Sequence, residues 1–474
     1  MVTDDSIVDR RIIAEANTLV RTGHEVVLLA GPRPGERFEQ DGAVKIERWE
    51  DSDSLLYAHA LRDRRPLALS KHGLKVIWRR LRSLLGRDAD IASAEWTVPQ
   101  ALWQLEPLTV AIRTTRFAFA TLRAAVLRAL NAAGVTLRLP RSLMLAAIDA
   151  EMAPLERWKV ARLRFYRPDA IHVHDLPQLR AGVFAKLALD VPLIYDAHEI
   201  YPAIHTLSPE DSSRLSAIER RYIRFADASI TVNEFIAKEL AARYGIAAPH
   251  VIWNAIDPPP DLHQGRAGRK TLRELVNAGP DAAILLFQGW LSSGRGLPEL
   301  VRAMAMVEPR IHLVLLGYGS LGKELSLIAT DLRLQNRVHF LDAVPHSELL
   351  YITATADAGI IPYQPLDLNN QLCSPNKLFE YIQARLPIIA NDLPFLRKIV
   401  GTEGFGVVAN LDAPESFARA IGAMFDRDGG GPGRFRRRLA TQAPRFSWAS
   451  QEGVLLDVYR TVVGSRHSVS MGGP

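Results

Sequence analysis

The sequence predicts an α/β protein made of two Rossmann-like, doubly wound parallel-sheet domains that face a cleft, with a helical insertion in the first. Short apolar runs alternate with helical stretches along most of the chain, the rhythm of β-α-β units. A composition shift at Asp257-Pro258-Pro259-Pro260 separates one such series from the next. With 474 residues, 48% of them hydrophobic, the chain can build two cores of ordinary size.

Taken in order, Met1-Val2-Thr3 leads straight into Asp4-Asp5, so the first strand and its glycine-rich turn are almost missing; either the reading frame begins late or this edge is truncated. Residues 25–30, 170–174, 192–195 and 228–232 read as strands of the first sheet, being short, apolar and followed by turn residues. Residues 284–287, 312–316, 338–340, 356–362 and 386–390 read as strands of the second. Beyond Gly429-Gly430-Gly431-Pro432-Gly433, residues 448–463 read as a last helix. The domains are then 1–256, with a basic helical insertion at about 55–160, and 257–445, followed by a C-terminal helix at 446–464 and a tail at 465–474. No repeat at a solenoid period is present.

Charge and cysteine content narrow the class. The single cysteine, Cys373, excludes an internal disulfide framework and suits a reducing compartment. Asp4, Asp5, Asp9 and Arg10 interrupt any apolar signal segment at the start, so the expected location is cytoplasmic. The net charge of +6 suggests an anionic partner without separating lipid, nucleotide and nucleic acid. Between Leu61 and Arg87 nine Lys/Arg stand against one Asp, among apolar residues at helical spacing, and from Leu108 to Ile148 there are six Arg and no acid. Arginine breaks every apolar run well short of the ~20 residues that a membrane span needs. Two readings stay open: helices lying on an anionic membrane surface, or an insertion packed on its own domain with solvated arginines.

The most informative segment is Cys373-Ser374-Pro375-Asn376-Lys377-Leu378-Phe379-Glu380-Tyr381. Ser374 suits an N-cap and Pro375 the first helical position. Lys377 and Glu380 then share a helical face near an N-terminus whose free N–H groups attract phosphate. A cation and a positive dipole end can hold a diphosphate, and a carboxylate one turn deeper can accept two sugar hydroxyls. Read alone, the segment is equally an ordinary capped helix with a surface Lys/Glu pair. Strands on both sides place it in a β-α-β unit, at the carboxyl edge where ligands of open parallel sheets lie. Here the chain resembles family-4 glycosyltransferases of the GT-B type, many of which carry Pro-Asn-Lys-Leu-Phe-Glu-Tyr at this place.

That resemblance organises the remaining motifs. Gln288-Gly289-Trp290-Leu291-Ser292-Ser293-Gly294-Arg295-Gly296 is similar to the family's glycine-and-cation loop, which implies that Arg295 and Lys377 neutralise the departing diphosphate. Gly289 and Gly296 permit close backbone approach, as do Gly317 and Gly319 in the turn Gly317-Tyr318-Gly319. The loop through Val344 resembles the family's base-contacting loop, and Ser374, Pro375, Asn376 and Glu380 complete the implied donor site. In the first domain, Tyr195-Asp196-Ala197-His198-Glu199 ends a strand, and the resemblance places His198 beside the transferred sugar. There a neutral imidazole could hydrogen-bond a sugar hydroxyl, with Glu199 beside it. His174, Asp175 and Asp196 are expected on the acceptor side. His172 and His174, two apart on a strand, point to one face and could bind metal, with Asp196 and His198 as candidates in space but no further ligand recognisable nearby. The resemblance argues against metal, since such enzymes generally use cations and helix dipoles, and it implies no cofactor beyond the nucleotide-sugar substrate.

Two departures mark the limits of the likeness. A family Glu eight residues before Glu380 is Leu372 here, so that sugar contact would come from amides around Ser374 or from Asn369 and Asn370. The likeness is weak before Pro168, where the chain also starts abruptly. The expected function is therefore a retaining glycosyltransferase acting on a membrane-associated or lipid-linked glycan acceptor at an anionic surface, in surface polysaccharide assembly, with no nucleic-acid partner. A catalytically silent GT-B scaffold is the alternative, and a GT-B epimerase of free nucleotide sugars ranks behind it.

Overall fold

The structure is a computed structural model that describes residues 1–3, 5, 8–32, 38–49, 141–264 and 268–470. The chain divides into two compact units, one comprising residues 1–54 and 152–474, the other residues 55–151. Of the second, the helix Arg141–Glu151 is described; apart from it, the basic segments read from the sequence lie outside the described residues. The expected insertion ended at about 160, yet the helix Pro154–Tyr166 belongs to the first unit, where Glu156 accepts two hydrogen bonds from Arg180 at 2.8 and 2.6 Å.

The first unit holds two sheets. The strands before residue 257 are β1 (Val27–Ala30), β2 (Phe38–Asp41), β3 (Val44–Arg48), β4 (Ile171–His174), β5 (Leu193–Ala197), β6 (Ala228–Thr231) and β7 (His250–Val251). They pair in the orders β1-β3-β2 and β4-β5-β6-β7. Val2 joins the two rows, bridging Leu29 and Val173 in parallel, with its N–H donating to the His172 carbonyl at 2.8 Å. The first strand that looked almost missing is thus present as a short splice. The β2/β3 hairpin escaped the sequence reading although Asp41-Gly42 is a recognised turn signal, and Gly42 indeed takes φ +59°.

The second sheet runs β10 (Val338–Leu341), β9 (Ile311–Leu316), β8 (Ala283–Gln288), β11 (Ala358–Ile361), β12 (Ile388–Asn391), β13 (Gly406–Ala409), with every neighbouring pair parallel. Counted from β8, the chain moves outward through β9 and β10, then returns to the other side of β8 at β11. That reversal opens a crevice at the carboxyl ends of β8 and β11, the usual ligand position in such sheets. β13 is only partly buried along its length; its short run Gly406-Val407-Val408-Ala409 is apolar but escaped the sequence reading.

Both faces of the central strands β9, β8, β11 and β12 are covered, so these read as nearly continuous apolar runs. Leu286, Val314 and Leu316 pack with Phe379 and Ile382 on one face, while Leu285, Phe287 and Leu313 pack with Val301 and Phe417 on the other. Each such side chain contributes roughly 1.5–3 kcal/mol relative to exposure. The C-terminal helix Glu452–Ser470 packs on the first sheet's side, where Leu455, Val458 and Val462 join Ile12, Leu19, Ile194 and Ile230 in one core cluster. A single truncation in the second core measures this packing: Leu286→Ala is expected to cost about 2–5 kcal/mol, read as a lower urea midpoint.

Candidate functional site

A cavity of about 530 Å³ lies where the carboxyl ends of the two sheets meet, within the size range of small-molecule sites. Its floor is the signature helix, Asn376–Gln383. The helix starts one residue later than expected, with Pro375 as its extended N-cap, and the hydroxyl of Ser374 makes no hydrogen bond among the described residues. The small shift follows from Pro375 itself: its φ of −67° suits both an extended cap and a first turn, and ψ of 135° decides for the cap.

Lys377 and Glu380 do not pair with each other. Lys377 is buried between aromatic rings, its Nζ 4.1 Å from the centre of the Phe287 ring, 4.7 Å from that of Tyr363 and 3.3 Å from the Tyr363 hydroxyl. Arg295 covers the same Tyr363 ring, its guanidinium carbon 3.7 Å from the centre. Burial pushes the Lys377 ammonium well below its ordinary range, and the Arg295 charge pushes it further down. Glu380, also buried, accepts hydrogen bonds from Gln288 and from Arg10 of the helix Arg10–Arg21, and Gln288 in turn accepts from the Thr353 hydroxyl at 2.7 Å. Burial raises the neighbouring Cys373 thiol to about 12, so it stays neutral.

His198 and Glu199 enter the cavity from the end of β5. Burial works against charge on the His198 ring, but Asp175 and Asp196 outweigh it and push its pKa up to about 10. The neutral imidazole expected from sequence is therefore corrected to a cation at physiological pH. Glu199 is raised by burial and accepts a 2.9 Å hydrogen bond from the Asn369 side chain, while Asn369 Oδ1 accepts from the Ile200 N–H at 3.0 Å.

Of the residues singled out from sequence, His198, Glu199, Arg295, Lys377, Gly289, Gly317, Val344, Ser374, Pro375, Asn376 and Glu380 line this one cavity. Gly296 and Gly319 do not: Gly296 is the left-handed N-cap of the helix Leu297–Ala303, and Gly319 stands so close to Leu291 that a Cβ would lie 2.2 Å from its carbonyl oxygen. His174 and Asp196, expected on the acceptor side, are instead fully buried beneath His198, and Asp175 holds the His198 N–H at 3.0 Å. Arg10, Gln288 and Tyr363 were missed. No local pattern marks them, since their roles arise from partners far along the chain; Arg10 and Glu380 are 370 residues apart.

The family model described as Glycosyltransferase Family 4 matches residues 117–259, and that described as Glycosyl transferases group 1 matches residues 282–427, together more than half of the chain. The chain belongs to this glycosyltransferase family. The glycosyltransferase is 26% identical over 317 residues to the D-inositol 3-phosphate glycosyltransferase of Xylanimonas cellulosilytica, covering 61% of this chain and 71% of the relative. It is 24% identical over 316 residues to a glycogen synthase of Mycobacterium tuberculosis, covering 65% and 72%. In fold it is similar to the sucrose-phosphate synthase of Thermosynechococcus elongatus, with a TM-score of 0.60 at 14% identity over 98% of both chains. Anabaena Alr3699/HepE, solved in complex with UDP, matches at a TM-score of 0.53 and 20% identity over 66% of this chain and 83% of its own. The architecture is GT-B, and the enzyme depends on a nucleoside-diphosphate sugar.

Gly317 offers a direct check on the donor crevice. It takes φ +148°, and a Cβ there would stand 2.1 Å from the Gly289 carbonyl oxygen, forcing apart the turns that close β8 and β9. Gly317→Ala is expected to weaken nucleotide binding by roughly tenfold or more, about 1.4 kcal/mol, in calorimetry, with far-UV circular dichroism unchanged.

Proposed function

We propose that the enzyme is a retaining glycosyltransferase that moves a sugar from a nucleoside diphosphate to a hydroxyl of a membrane-associated or lipid-linked glycan, in assembly of a surface polysaccharide. The observation that carries the reading is the convergence of Arg295 and Lys377 on Tyr363 beside Glu380, opposite His198 and Glu199, in one cavity. Arg295, Lys377 and the N-terminus of the signature helix would stabilise the leaving diphosphate, with no metal needed for that step. Glu380 would hold the ribose, and Asn369 and Asn370, both lining the cavity, would take over sugar contacts in place of the side chain that Leu372 lacks. His198, held as a cation, would donate to the sugar or to the acceptor side.

Relatives named for transfer to an inositol phosphate and for glycogen synthesis support sugar transfer while differing in acceptor. The acceptor is therefore inferred from the basic segments of the chain. Among the described residues no helix is long and apolar enough to cross a membrane. From the basic segments we place the enzyme peripherally, on the inner face of the membrane.

Release of free nucleoside diphosphate from a panel of UDP- and GDP-sugars, with and without a lipid extract, tests the reaction. UDP-sugars lead the panel because the structural neighbour HepE was solved with UDP. Donor-specific release that requires the lipid and disappears in Glu380→Ala is expected. Bound nucleotide with no release would turn the reading toward a silent scaffold. Pelleting with anionic vesicles tests the surface: binding at low salt should fall when Arg79, Arg80 and Arg82 are neutralised together, and unchanged binding would remove the membrane claim.

The depressed Lys377 ammonium adds a pH signature. A diphosphate beside it restores its preference for the charged form, so binding takes up a proton and affinity rises as pH falls through the alkaline range. Calorimetry in buffers of different ionisation enthalpy should show this uptake in wild type and lose it in Lys377→Met. Equal proton uptake in both would separate Lys377 from the diphosphate.

A further inference from the structure

Beneath the carboxyl edge of the first sheet stands a group of side chains that sugar transfer does not use. Glu15 comes from the helix Arg10–Arg21, His172 and His174 from β4 and Asp196 from β5, and each is at most 1% exposed. One ligating atom of each lies within 4.8 Å of the others. Glu15 Oε2 is 4.0 Å from His174 Nε2, and the Asp196 oxygen held by Arg11, Oδ2, is 3.8 Å from His172 Nε2. The two imidazoles, on the same face of the strand, stack at 4.3 Å.

Hydrogen bonding divides every one of these four groups into a held atom and a free atom. Arg11 donates to Glu15 Oε1 at 2.9 Å and to Asp196 Oδ2 at 2.6 Å. The Tyr459 hydroxyl lies 3.0 Å from His172 Nδ1, and His198 Nε2 lies 3.2 Å from His174 Nδ1. Left without a hydrogen-bond partner among the described residues are Glu15 Oε2, Asp196 Oδ1, His172 Nε2 and His174 Nε2. One orphaned buried polar atom costs about 1–3 kcal/mol, so four in one place call for a partner that satisfies them together. Two carboxylate oxygens and two imidazole nitrogens are the donor set of a zinc-type ion, and the outer atoms are held just as ligands are oriented around such an ion. Tetrahedral bonds of about 2.0–2.2 Å require the four groups to draw together by less than about 1 Å.

We propose that Glu15, His172, His174 and Asp196 form a structural site for a divalent transition-metal ion of the zinc type. The ion would tie the first helix to β4 and β5 behind His198. The sequence reading saw the His-x-His pair and named Asp196 and His198 as further candidates; the fold supplies Glu15 and sets His198 Nε2 beside His174 Nδ1, so that His174 ligates through Nε2 when its Nδ1–H donates to His198, and metal binding releases the His198 proton. None of the four residues lines the donor cavity, so the ion takes no part in diphosphate departure.

The test uses the full chain, purified without a metal-affinity tag or chelator, and elemental analysis of the product. Stoichiometric zinc is expected. After dialysis against a chelator, titration with Co2+ should produce the visible absorption of a four-coordinate site, and Zn2+ or Co2+ should raise Tm. Glu15→Gln preserves side-chain size and an acceptor for Arg11, and His172→Asn removes one ligand; both should lose the metal and the Tm gain, whereas Glu380→Ala should load like wild type. Folded wild type that carries no metal, gives no Co2+ absorption and shows no Tm shift with either ion in excess overturns the site. So does equal loading of wild type and both ligand variants, which would put the metal elsewhere.

Discussion

Burial of Lys377 is the constraint on which the donor site depends. A buried ammonium is costly unless something offsets its lost hydration, and here the offsets are two aromatic faces and a phenol, with no carboxylate partner among the described residues. Arg295 is set over the same Tyr363 ring, and its charge adds to burial in disfavouring the Lys377 proton until an anion arrives. The apolar core of the second sheet keeps them there, since Phe287 ends up under Lys377 only because β8 is buried on both faces. The crevice thus places Arg295 and a lysine that charges on binding where a diphosphate would lie.

The opposite wall follows a different logic. Its carboxylates are paired before a ligand enters: Asp196 and Glu15 with Arg11, Asp175 with the His198 backbone, Glu199 with Asn369. His198 stands at the end of that network and takes its charge from it. Glu380 is the place where the walls meet, because Arg10 reaches across from the first helix to the second sheet's carboxylate. Removal of Arg11 would leave the buried Asp196 and Glu15 without their shared cation, which is why these groups belong together structurally.

Much of this was legible. The strands of the second sheet announced themselves because burial on both faces demands continuous apolar runs, and the crevice could be placed because helices that follow such strands begin at one edge. Short strands were missed: β13, a four-residue apolar run opened by Gly406, and β7, a fragment of two residues. The hairpin of β2 and β3 was within reach through Asp41-Gly42, but its exposed first strand shows no alternation. The N-cap was misplaced by one residue because proline tolerates both positions.

The sequence by itself determined the two-sheet architecture, the family and the cations and carboxylate that share the signature helix, since each is written in local spacing that backbone geometry reads directly. Only the tertiary structure decided which groups touch. It parted Lys377 from Glu380, brought Arg10 and Gln288 to Glu380, charged His198, sank His174 and Asp196 beneath it, and joined Glu15 to the His-x-His pair. Those outcomes depend on partners far apart in the chain and on the loss of water around them, and neither quantity is encoded in any short stretch of residues.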